Sequence, residues 1–124
     1  MATAPNYAAT PVNSASVIGP VANANRDGAT GTYYTIFTAS AAGGRVESVN
    51  LHAIAATAQG LVRFFVNNKL ILEAPVAPVT PSGVVPAWSA RFELDLDLEA
   101  SAVLKCNTQN AESFHAVINR GGSY

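Results

Sequence analysis

The chain has 124 residues, 49% of them hydrophobic and only 12% charged, with a formal net charge of −1. That length supports one hydrophobic core, and the charged share is about half that of an average soluble domain. Part of the uncharged surface is therefore expected to be covered by a partner, or else kept soluble by Asn, Ser and Thr. The basic residues Arg26, Arg45, Arg63, Lys69, Arg91, Lys105 and Arg120 are scattered, which argues against an electrostatic footprint for nucleic acid or an anionic membrane. Cys106 is the single cysteine, so neither an intrachain disulfide nor a cysteine-based zinc site is available. No apolar run approaches the ~20 residues that span a bilayer, and no basic-then-apolar leader opens the chain. A soluble protein made in the cytoplasm is expected.

Residues 1–31 are rich in Ala, Asn, Thr, Pro and Gly, with Pro5, Pro11 and Pro20 placed so that no helix runs through. Val12, Val17, Ile18 and Val21 are the apolar anchors, too few for a separate core. The segment is expected to be an extended N-terminal arm, either a floppy tail or an arm ordered along a neighbouring subunit. From residue 32 the pattern is that of a β-protein. Thr32–Ala39 is dense in aromatic and β-branched residues and stops at Gly43–Gly44. Arg45–Ala55 follows as a strand, although Leu51–Gln59 also reads as a short helix. Gly60–Val66 and Lys69–Glu73 flank Asn67–Asn68, a pair suited to a tight hairpin turn. Pro75, Pro78, Pro81 and Pro86 punctuate a loop.

Trp88–Leu98 is the most regular strand, with Trp88, Phe92, Leu94, Leu96 and Leu98 on one face and Arg91, Glu93, Asp95 and Asp97 on the other. Ala102–Cys106 and Ser113–Asn119 complete seven or eight strands, counting one near Val17–Val21. An all-β antiparallel sandwich over residues 32–124 is expected, of immunoglobulin-like or jelly-roll topology, since periodicity does not choose between them. Its core is expected to hold Ile36, Ile54, Phe64, Trp88, Phe92, Leu94, Leu96, Leu104, Phe114 and Ile118. A two-residue turn would pair Phe65 with Leu70 and Arg63 with Leu72, placing Leu61, Phe65, Leu70 and Leu72 on one face. Both faces of this hairpin are then too apolar for water. Either one lies under a loop, or it meets another subunit, or a bulge realigns the alternation.

Little in the chain points to chemistry. Ser113, Glu112 and His115 lie close in sequence, but neighbouring strand positions diverge to opposite faces, so a nucleophile–base–carboxylate constellation is not expected. Glu93, Asp95 and Asp97 stand about 6.6–7 Å apart along one strand, too far to chelate one ion unaided. They read as a solvated face or as an acidic stripe that meets basic residues of a partner. Trp88 is a ligand platform or a core-edge residue, and its parity with Phe92 favours the latter. No cofactor and no metal is expected.

The runs Ile36-Phe37-Thr38-Ala39, Gly43-Gly44-Arg45-Val46-Glu47-Ser48-Val49, Gly60-Leu61-Val62-Arg63-Phe64-Phe65-Val66 and Pro86-Ala87-Trp88-Ser89, with Leu104-Lys105-Cys106 and Asn110-Ala111-Glu112-Ser113-Phe114-His115, resemble a pattern of small tailed-bacteriophage structural proteins. The resemblance spans Thr32 to Gly122 and implies a virion protein of the capsid-decoration (cement) class, in which jelly rolls, trimers and neighbour-embracing arms are common. It implies a non-enzymatic protein on the capsid exterior that binds the major capsid protein or another virion protein. A neck, baseplate or tail-fibre component fits the same resemblance. From the residues alone, a carbohydrate-binding sandwich stays open. Val12, Val17, Ile18, Val21, Phe65, Leu70, Leu72, Glu93, Asp95 and Asp97 are the candidate interface residues.

Overall fold

A computed structural model describes residues 10–12 and 15–124, with the backbone alone for Ala15 and Ser16. Among these residues there are nine strands and no helix: β1 Thr10–Pro11, β2 Ala15–Ile18, β3 Tyr34–Thr38, β4 Gly44–Ala53, β5 Gly60–Val66, β6 Lys69–Val76, β7 Ser89–Leu98, β8 Val103–Thr108 and β9 Phe114–Ser123. They form two antiparallel sheets that face each other as a β-sandwich. One sheet runs β1-β9-β4-β7, with β2 also paired to β9, and the other runs β3-β8-β5-β6. Every run of alternating or β-branched residues anticipated from the sequence becomes a strand. Asn67 has a φ of 55°, which Asn tolerates at the tip of the β5–β6 hairpin. Its backbone N–H and side-chain Oδ1 bond the Val103 carbonyl and N–H, so the turn is pinned to β8.

Between the sheets lie Ile18, Ile36, Phe37, Val46, Val49, Leu51, Val62, Phe64, Leu104, Cys106, Phe114, Ala116 and Ile118, all buried. Phe64 of one sheet meets Phe92 of the other with ring centroids 5.1 Å apart. A bulge between Thr35 and Phe37 lets both Ile36 and Phe37 point inward.

The structure corrects several expectations. Ile54 is half exposed rather than core, because β4 ends at Ala53 and the chain turns away. Of the two readings of the stretch from Leu51, the strand holds: Leu51–Ala53 complete β4, and residues 51–59 form no helix. Trp88, Phe92, Leu94 and Leu96 pack on the core but are only partly buried. The reason is position: β7 is an edge strand, so its inward side chains have a neighbouring strand on one side only. In the hairpin, Phe65 pairs with Leu70 as expected, but a bulge at Ile71 then pairs Phe64 with Leu72 and Arg63 with Glu73. Leu72 therefore joins Phe64 on the core face.

Residue 31 does not mark a structural break. β1 and β2 pair with β9 of the same chain, Val12 packs on the core and Ile18 is fully buried. Residues 1–9, 13 and 14 of the expected arm lie outside the described residues. Removing residues 2–24 would thus delete two strands of the sandwich, not a detachable tether.

Candidate interaction surface

The outer faces of the two sheets differ. On the four-stranded sheet the residues 19–33 fold back as a strap over β5 and β8. Beneath it lie Arg63, Phe65 and Asn107, each at most 1% exposed although they point away from the core. Asn23 N–H bonds the Thr108 carbonyl at 2.8 Å. Arg63 donates to the Asn23 carbonyl and to Gln109 Oε1, and Asn107 donates to the Asn25 carbonyl at 2.9 Å. Tyr33 meets the Phe65 ring edge-on at 5.1 Å. Lys105 Nζ lies over Tyr33 and donates to the carbonyl of Gly28 and to Asn68 Oδ1. Gly28 has a φ of 75°, and a side-chain carbon there would fall 2.4 Å from the Asn68 carbonyl oxygen, so only glycine lets the strap come this close. Of the three readings offered for the hairpin, two hold together: its outer face lies under a loop and a bulge realigns β6. Phe65 thus meets its own strap.

Two carboxylates order the strap. The Thr30 hydroxyl, then the Thr30 and Ala29 amides, hold Asp27 well below the usual carboxylate range. The Arg26 guanidinium at 2.6 Å holds Glu73 below its ordinary value. Because both folded-state values lie under the ordinary 3.8 and 4.5, each carboxylate stabilises the folded strap above those values. That contribution fades as pH falls below them toward the folded-state values. The urea midpoint is therefore expected to drop from about pH 4.5 downward, and Asp27→Asn to flatten that drop while lowering the midpoint at neutral pH. An unchanged pH slope in Asp27→Asn would assign the acid sensitivity elsewhere.

The outer face of the other sheet is charged but largely self-compensated. Arg45 pairs with Asp97 at 3.1 Å, Glu47 at 3.5 Å and Asp95 at 3.7 Å, and Arg91 pairs with Glu93 at 2.7 Å. Tyr124 O–H donates to Asp97, and that bond, with Arg45, lowers the Asp97 pKa. The acidic row thus has basic partners within its own chain. Such exposed pairs each contribute about 0–1 kcal/mol. His52 and His115 stand opposite each other on β4 and β9 of this face.

The end of the sandwich where β2, β4, β6 and β8 finish is different in kind. Its loops, residues 19–25, 54–59, 77–88 and 109–113, carry one charged side chain, Glu112. Four of the six large hydrophobic side chains exposed among the described residues lie on them: Val21, Ile54, Val84 and Val85. The loops are cross-braced. Thr57 and Val79 exchange backbone bonds of 2.9 and 3.2 Å, and Thr57 Oγ1 donates to the Ala77 carbonyl. Glu112 accepts from Ala58 N–H and Asn110 donates to the Gln59 carbonyl. Ser82 closes a turn by bonding the amides of Val84 and Val85, which leaves Val84 92% exposed at its tip.

Of the expected interface residues, Val17 and Val21 are half exposed and Glu93, Asp95 and Asp97 are exposed. Val12 and Leu72 pack on the core, Ile18 and Phe65 are buried, and Leu70 is partly buried. Val84 and Val85 were missed because a hydrophobic residue in a loop has no periodicity to mark which way it points, and Ile54 because the strand reading carried it into the core. The signal for Val84 and Val85 was the absence of charge among four prolines. Glu112 is turned to Ala58 and does not meet His115. The Trp88 and Phe114 rings meet in a T-shaped arrangement with centroids 5.6 Å apart, and Trp88 is partly buried against the core. Burial pushes the Cys106 thiol far up. Among the described residues no group of three or more His, Cys, Asp or Glu is placed to hold a metal ion. No family model, curated protein or solved structure matches the chain.

Proposed function

We propose that this chain is a non-enzymatic virion structural protein that binds and stabilises the exterior of a bacteriophage capsid, docking through its uncharged loop end. The observation that carries this reading is the braced set of loops presenting Val21, Ile54, Val84 and Val85. Exposed apolar side chains grouped on one end, without charge to keep them wet, fit a surface covered by protein in its working state. Bracing matters as well, since loops already ordered lose less entropy on docking. The jelly-roll part of the reading draws on strand order: β2-β9-β4-β7 faces β3-β8-β5-β6, an arrangement of eight strands in two Greek keys that viral capsid domains use. Under this reading the free protein is a closed oligomer, with a trimer expected; sedimentation as a monomer at micromolar concentration would remove that part.

The test is co-sedimentation with undecorated particles. The Val84→Asp/Val85→Asp double variant is expected to bind at least about tenfold more weakly, because two carboxylates would lose water on docking. Asp95→Asn/Asp97→Asn, which alters the self-compensated face, is expected to bind normally. Full attachment of the Val84/Val85 variant would rule out the loop end as the docking surface.

A further inference from the structure

We propose that His52 and His115 form a surface site for one borderline transition-metal dication of the class Zn²⁺, Ni²⁺ or Cu²⁺. The two residues are direct partners in the β4–β9 ladder. The bond from Ile54 N–H to the Ser113 carbonyl, 3.1 Å, sets the phase of that ladder. Two residues back on β4 and two forward on β9, positions 52 and 115 form a hydrogen-bonded pair, with Cα atoms about 5.5 Å apart. Both side chains are exposed on the same outer face. Imidazoles rooted that close can each bring one ring nitrogen to the ~2.0–2.1 Å at which such ions bind.

His52 is already set for this. Its Nδ1 lies 3.0 Å from the Ala53 carbonyl oxygen. A carbonyl only accepts, so Nδ1 carries the proton and Nε2 keeps the lone pair. A backbone bond of this kind orients metal-binding histidines generally.

The surroundings select the ion. Along the row, Val17 stands beside His115 and Ser89 beside His52. One pair further along the ladders lie Val117, Asn50 and Arg91, the last drawn to Glu93 at 2.7 Å. No carboxylate stands in the histidine row, so the six to eight oxygens that Ca²⁺ requires are missing, whereas two imidazoles suit a borderline ion. Both imidazoles stand on an exposed face, so waters can complete the ion's shell from solvent.

Calorimetric titration of the full-length protein with ZnCl₂ or NiCl₂ in a non-chelating buffer tests the site. One ion per chain is expected. His52→Ala, His115→Ala and the milder His115→Gln should each weaken binding about tenfold or more, with far-UV spectra unchanged because both positions are exposed. Asp95→Asn/Asp97→Asn should bind as the parent does. The absence of saturable binding, equal affinity in the histidine variants, or loss on removing Asp95 and Asp97 would overturn the assignment.

Discussion

Phe64→Ala is expected to lower the stability of the fold by about 3–5 kcal/mol. Phe64 is fully buried on β5, a strand flanked on both sides by β8 and β6. Its ring also reaches across to Phe92 of the opposite sheet. Truncation would open a cavity that β5 cannot collapse into, since its neighbours hold it through ladder bonds on both edges. Phe92→Ala is expected to cost less, about 1–3 kcal/mol, because Phe92 is only partly buried on the edge strand β7. Urea unfolding of the two variants, compared at equal m-value, measures the difference. A larger loss at Phe92 would mean that β7 is covered more completely than a lone chain allows, as it would be at an interface.

Asn23→Ala is expected to release the strap at a cost of about 2–6 kcal/mol, from four hydrogen bonds each contributing about 0.5–1.5 kcal/mol. The Asn23 amide donates to the carbonyls of Thr30 and Thr32, at 3.1 and 2.9 Å, while its Oδ1 accepts from the backbone and side chain of Asn25, at 3.0 and 2.8 Å. These bonds shape residues 23–32 into the loop that covers Arg63 and Phe65. Without them the strap would lift, Arg26 would leave Glu73, and trypsin would cleave after Arg26 under native conditions. Gly28→Ala is expected to act in the same direction by forcing the strap off Asn68. Persistent resistance at Arg26 in Asn23→Ala would show that Lys105 and Asn107 hold the strap from the sheet side without its internal frame.

Both results bear on how the protein presents itself. The strap closes one outer face with the chain's own residues, so the surfaces left for partners are the compensated charged face and the uncharged loop end. That distribution explains a low charge content without requiring every uncharged residue to meet a partner: Phe65 and Tyr33 pack on each other, and both ends of the Asn23 side-chain amide are hydrogen-bonded within the chain.

The strand content of this protein is determined by local sequence. Alternation over Ser89–Leu98, the Asn67–Asn68 turn and β-branched runs around Ile36 and Val62 specify extended chain through nearest neighbours alone, because side-chain direction in a strand has period two. The tertiary structure alone decided which alternating faces meet what. Phe92, Leu94 and Leu96 read as full core, yet β7 lies at a sheet edge, and strand order depends on pairings between residues far apart in sequence. Leu72 changed faces because one bulged residue at Ile71 shifts every side chain after it. Residues 1–31 read as an arm because their few apolar side chains cannot make a core by themselves. They do not need to, since β9 supplies the ladder for β2, and Arg63 and Asn107 supply the polar partners for Asn23 and Asn25. The His52–His115 pair is the same kind of result: 63 residues separate them in the chain, and only the register of β4 against β9 sets them side by side.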